Sequence, residues 1–135
     1  MKSRELNFLD WFNTQMDLNL KPTKDFDRWD FQDDNYLIEL KIRLKYYEEK
    51  LLQADKGLSL IQNAEALDKI PLYIVTDHKG VYIYNLNKIN LLEYPICEVV
   101  APVTTEFEKD KLITKYCYVL PEADATKILR YGQKS

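Results

Sequence analysis

The stretch "WDFQDDNYLIELKIR", residues 29–43, decides how this chain folds. Its second half alternates, so Tyr36, Ile38, Leu40 and Ile42 fall on one side of a strand and Leu37, Glu39, Lys41 and Arg43 on the other. Charged side chains at Glu39 and Lys41 lose hydration if that face is covered, and some interaction must compensate them. Asp33, Asp34 and Asn35 interrupt the pattern with turn formers, which predicts a β-hairpin of residues 26–32 and 36–43. A turn centred on Asp34 and Asn35 sets Asp30 opposite Glu39, with β-carbons about 5 Å apart. A three-residue loop would instead bring Asp27 onto the Glu39 face.

Two carboxylates and an ammonium so placed suit a divalent cation. Close carboxylates repel, and one takes up a proton unless Mg²⁺ or Mn²⁺ supplies charge through hard oxygen ligands. Asp30 and Glu39 are the expected ligands, with the backbone carbonyl of Leu40 as a further oxygen. Such an ion shares its shell with phosphate and activates water for attack at phosphorus, and Lys41 is positioned to orient that nucleophile or to stabilise charge on the phosphoryl oxygens. The plainer reading of the same residues is a solvated strand face with cross-strand ion pairs.

Asp30, eight residues, and then Glu39-Leu40-Lys41 resembles the PD-(D/E)XK nuclease superfamily, whose restriction-endonuclease-like fold pairs an Asp on one strand with Glu-x-Lys on the next. The resemblance spans roughly residues 3–86. It implies that the leading helix contributes an acid, a role that Glu5 in "SRELNFLDWF" matches. Trp29 stands where the motif's naming proline would be, a variable position in the family. Small phage-type nucleases, junction resolvases among them, are similar in size and in the hairpin "PLYIVTDHKGVYIYNL". The implied activity is Mg²⁺- or Mn²⁺-dependent hydrolysis of DNA phosphodiesters, linear or branched, in a phage or mobile-element setting. A homodimer would supply two sites for two strands.

The remaining sequence is consistent with one α/β (α+β) domain over residues 1–135: a central mixed sheet flanked by helices, with a core of about 3–86 and a C-terminal extension of about 92–131. At 135 residues and 46% hydrophobic content the chain can bury a real core. Leu6, Leu9, Trp11 or Phe12, and Met16 predict an amphipathic helix over 3–18 with Ser3 as its N-cap. Residues 46–68 predict a second helix interrupted near Gly57, on whose solvated face a second Glu-x-Lys, Glu48-Glu49-Lys50, would sit. "YPICEVVAP" and "KLITKYCYVL" predict a strand pair, and Pro121 to Tyr131 a short helix.

No apolar run is long enough to span a bilayer, and "MKSRELNFLDWF" carries acids where a signal peptide would not, so a soluble cytoplasmic protein is expected. Cys97 and Cys117 read as reduced thiols, and the single histidine, His78, leaves no His-based metal site or triad. A net charge of −3 argues against a broad basic face but permits a local one. Lys45, Lys50 and above all Lys56 are candidates for phosphate contact. Tyr46, Tyr47, Tyr73, Tyr82 and Tyr84 could stack on bases or fill the core, and Thr104 and Thr105 could touch a phosphate or form a turn. Two rival functions stay open: a catalytically silent nuclease-fold protein that binds DNA or a host protein, and a small structural phage protein with an unrelated sheet.

Overall fold

The computed structural model describes residues 3–23, 29–102 and 111–131. Its centre is a six-stranded mixed sheet in the order β1-β2-β3-β5-β6-β9, where β1 is Lys21–Pro22, β2 Phe31–Gln32, β3 Tyr36–Ile42, β5 Ile70–Thr76, β6 Gly80–Asn85 and β9 Lys127–Arg130. Strands β3 and β5 run parallel, from Tyr36 opposite Ile70 to Ile42 opposite Thr76. The connection between them contains β4 (Glu49–Gln53) and helix α2 (Ala54–Leu67). A second sheet, in the order β4-β8-β7, adds β7 (Ile96–Pro102) and β8 (Leu112–Pro121).

Strand alternation divides the core. Ile38, Leu40, Leu72, Ile74, Val81 and Ile83 meet Phe8, Leu9 and Phe12 of helix α1 (Ser3–Met16). On the other face Leu37, Tyr73, Val75, Tyr82 and Tyr84 meet Leu60 and Ala64 of α2, and Leu52, Tyr118 and Leu120 of the second sheet. Each fully buried aliphatic or aromatic side chain contributes about 1.5–3 kcal/mol. Tyr73 and Tyr84 are therefore core residues, and their hydroxyls donate to the carbonyls of Leu51 (2.6 Å) and Pro121 (2.9 Å), tying one sheet to the other. Glu39 and Lys41 stand on this second face, beside α2.

Several expectations need correction. The second helix begins at Ala54, because residues 49–53 pair antiparallel with β8 from Glu49–Pro121 to Gln53–Cys117. The second Glu-x-Lys thus lies on a strand approach, with Glu49 exposed and Lys50 only 3% exposed. Gly57 does not interrupt α2; a Cβ there would lie 2.9 Å from Leu52 Cδ2, so the glycine lets β4 approach the helix closely. The tail makes one 3-10 turn at Glu122–Asp124 and then strand β9, which pairs with β6. Ile128 and Leu129 are worth more against the sheet edge than on a solvated helix. The first helix ends at Met16 because Asp17 takes φ 53°, and of its two rival aromatics Phe12 is buried while Trp11 is half-buried.

A Cβ at Gly80 would collide with the backbone carbonyl oxygen of Leu129, which cannot swing aside as a side chain can. Gly80→Ala should cost about 1–3 kcal/mol in urea denaturation through overpacking, while His78→Ala in the same turn, on an exposed residue, should change stability little.

Candidate metal centre and its cationic surround

The hairpin turns as its sequence demands. Asp33 Oδ1 accepts from the amides of Asn35 (2.8 Å) and Tyr36 (2.7 Å), and Phe31 pairs with Ile38 and Gln32 with Leu37. Strand β2 stops at Phe31, so from Leu40 onward β3 has lost that neighbour. Asp30 fills the gap: its amide donates to the Ile38 carbonyl (2.8 Å), and its Oδ2 accepts from the Leu40 amide (2.8 Å). Thr23 holds Asp30 from behind through its amide and hydroxyl, at 3.1 and 3.2 Å from the Asp30 carbonyl. One carboxylate oxygen thus satisfies an orphaned strand amide.

Glu39 stands beside Asp30 and within its hydrogen-bonding reach, its side chain only 14% exposed. Burial, then the Asp30 charge, push the Glu39 carboxyl from an ordinary 4.5 up to about 7, against the pull of Lys56 and Lys41. Asp30 is also raised, by burial first and then by the charge of Glu5, with the Leu40 amide opposing. Lys56, in the first turn of α2, brings Nζ to 3.9 Å from Glu39 Oε1 but is itself exposed, so this pair is weak. Lys41 is exposed and lies opposite Val75. Partial burial of its ammonium, followed by the cations of Arg43, Lys56 and Lys115, holds it below the usual lysine value.

Asp30, Glu39 and Lys41 therefore share one site. Glu5 is half-buried in the first turn of α1 and reaches Asp30 by its field. Among the described residues no three His, Cys, Asp or Glu side chains are grouped to hold one ion. Asp27, Thr104 and Thr105 lie outside the described residues. Tyr47 and Lys45 are exposed, whereas Tyr82 is buried with Tyr73 and Tyr84.

Sequence reasoning missed a second charged group. Lys50 Nζ donates to the Tyr47 carbonyl, lies 3.7 Å from Asp77 Oδ2, and sits over the rings of Tyr82 (3.8 Å) and Tyr46 (4.4 Å). Asp77 Oδ1 accepts from the amides of Lys79 (2.8 Å) and Gly80 (3.2 Å). The run "TDHKG" carried that signal, as an Asp heading a turn that ends in Gly. The pair borders a cavity of about 750 Å³ lined by residues of both sheets.

No family model and no curated protein sequence matches this chain. Among solved structures it is similar to Hjc, a Holliday junction resolvase from the archaeal hyperthermophile Archaeoglobus fulgidus, at a TM-score of 0.55, with 12% identity, over 96% of this chain and 93% of that one. At this identity the likeness is one of fold alone: a mixed α+β architecture whose central sheet carries a helix on each face.

A carboxyl raised on folding keeps its proton longer in the native state, so its stabilising effect is complete below pH 4.5 and is lost as pH climbs through about 7. In EDTA, thermal stability should fall across this window. Glu39→Gln should flatten the fall, by up to about 3 kcal/mol at its upper end; melting curves at closely spaced pH values measure it.

Proposed function

We propose that the chain is a divalent-metal-dependent endonuclease that hydrolyses DNA phosphodiesters, with Asp30, Glu39 and the Leu40 carbonyl holding Mg²⁺ or Mn²⁺. The observation that carries this reading is the half-buried acid pair on β3 and its approach, two carboxyls whose burial and neighbouring acid charge hold them above the ordinary carboxylate range. Hard anionic oxygens with a shortage of compensating charge fit such a cation. The Leu40 amide points to Asp30, and in a strand the carbonyl of the same residue leaves by the same edge, beyond the last β2 pair. When bound, the ion supplies Lewis acidity toward the phosphoryl oxygen and lowers the pKa of water.

The chain's own groups do the rest. Lys41 extends from the Glu39 face as an exposed cation whose proton is held less tightly than usual, suited to orient the attacking water and to offset charge growing on phosphorus-bound oxygens. Lys56 adds positive charge beside Glu39 at the site's α2 side. Glu5, acting on Asp30 by its charge, tunes the acid pair's affinity for protons and so for the ion. DNA is the partner, linear or branched, in the cytoplasm, with a homodimer supplying two sites for paired cuts and a phage genome the expected source. No described helix is long and apolar enough to cross a membrane.

One observation favours a silent nuclease fold that binds DNA or a host protein: Asp30 already has a structural task in capping the Leu40 amide. The two readings separate on supercoiled, linear, single-stranded and four-way-junction DNA, each with Mg²⁺, Mn²⁺ or EDTA. The enzyme reading expects metal-dependent cutting that falls roughly 10²–10³-fold in Lys41→Ala and Glu39→Ala. Binding without cutting, or variants that cut like the parent, would reject it.

A further inference from the structure

Helix α1 presents Arg4, Asn7 and Trp11 to a cleft of about 300 Å³ at the C-terminal ends of β3 and β5, closed by Arg43 and Tyr131. These α1 positions recur at helical spacing and so share a side of the helix. The Trp11 and Tyr131 rings are 5.2 Å apart, and Tyr131 is anchored through its hydroxyl to Thr76. Among the described residues no hydrogen bond or ion pair engages the side chains of Arg4, Asn7 or Arg43. Asp77 also borders the cleft, but its charge is met by Lys50 and its other oxygen by backbone amides. The cleft is thus an aromatic wall with uncommitted cations and an uncommitted amide at its mouth.

We infer that this cleft takes an unpaired nucleobase of a DNA strand, stacked against Trp11 with its flanking phosphates on Arg4 and Arg43. Aromatic platforms accept any base because each has a π-face, and arginine serves both stacking and phosphate contact. The volume sits at the low end for small-ligand sites and admits one ring system. Arg43 lies two residues beyond Lys41, just past the end of β3, and Arg4 adjoins Glu5, whose charge reaches Asp30. Four residues of strand separate Glu39 from Arg43, about 13 Å, which a nucleic-acid strand covers in a few nucleotides. The larger inter-sheet cavity is a poorer anion site, because three acids, Glu48, Glu49 and Asp77, line it together with Arg43, Lys45 and Lys50. The inference rests on the nuclease reading for its orientation. It narrows the substrate to DNA with an unpaired segment beside the cut.

The test is fluorescence anisotropy in EDTA with a labelled duplex carrying an oligothymidine tail, the blunt duplex, and the tailed duplex made abasic along the tail. Trp11→Ala should weaken binding of the tailed duplex roughly tenfold and leave the blunt duplex unchanged, with Trp11→Phe restoring most of the loss. The abasic tail should bind the parent as weakly as the intact tail binds Trp11→Ala, a comparison that needs no altered protein. Arg4→Ala, on an exposed residue, should lower the salt dependence of binding by about one phosphate contact. Equal binding of all three probes by the parent, or equal losses on tailed and blunt DNA, would overturn the inference. So would displacement of the tail by thymidine monophosphate at matching concentration, which would make the cleft a mononucleotide site. If the protein cuts no DNA in any metal yet discriminates the tail, the cleft stands and the nuclease reading falls. Cutting without tail discrimination fails the cleft alone.

Discussion

The hydrogen bond from the Leu40 amide to the Asp30 carboxylate is the interaction on which the site depends. A strand that loses its neighbour midway leaves amides unsatisfied, and an amide deprived of water and partner costs about 1–3 kcal/mol. Supplying a carboxylate there satisfies the backbone and also fixes an acid at one place. It further keeps the edge of β3 open beyond Ile38, where a continued β2 would have buried it. The same structural economy therefore creates both the acid pair and the room around it.

Electrostatics then organises the surroundings. Two carboxyls in a partly buried place cannot both ionise at little cost, so the fold sets cations about them at graded distance. Lys56 approaches Glu39 from α2, while partial burial, and then the charges of Arg43, Lys56 and Lys115, loosen the Lys41 proton. Lys56 and Lys41 are exposed and do not neutralise the pair as a buried partner would. Elsewhere the fold does the reverse: Lys50 and Asp77 are buried together, with carbonyl, amides and aromatic faces completing their contacts. A closed pair is spent on structure. An incompletely compensated one keeps its carboxyls above the ordinary carboxylate range.

Legibility followed the range of the forces. The hairpin was readable because Asp33, Asp34 and Asn35 carry their own turn chemistry, and of the two registers the sequence left open the structure takes the one that pairs Phe31 with Ile38 and Gln32 with Leu37. The approach of Asp30 to Glu39 followed from that register alone. The run "KYYEEKLLQ" was ambiguous, since its apolar residues fit both a helical and an alternating period, and β8, far along the chain, settled it by pairing. Lys50 was misread for the same reason: a charge in an assumed helix looks solvated until Asp77 and two tyrosines are brought to it.

By itself the sequence determined the alternation of β3, the turn before it, the two strands around "TDHKG" and the charges that β3 carries, because these rest on periods and local turn chemistry acting within a few residues. Only the tertiary structure decided that residues 49–53 extend into a sheet, that the tail completes the edge of β6, and that α1 overhangs the ends of β3 and β5 to leave an aromatic cleft. Those outcomes rest on pairing and burial between segments distant in the chain, whose free energy is set by the partner surface and not by the segment's own pattern.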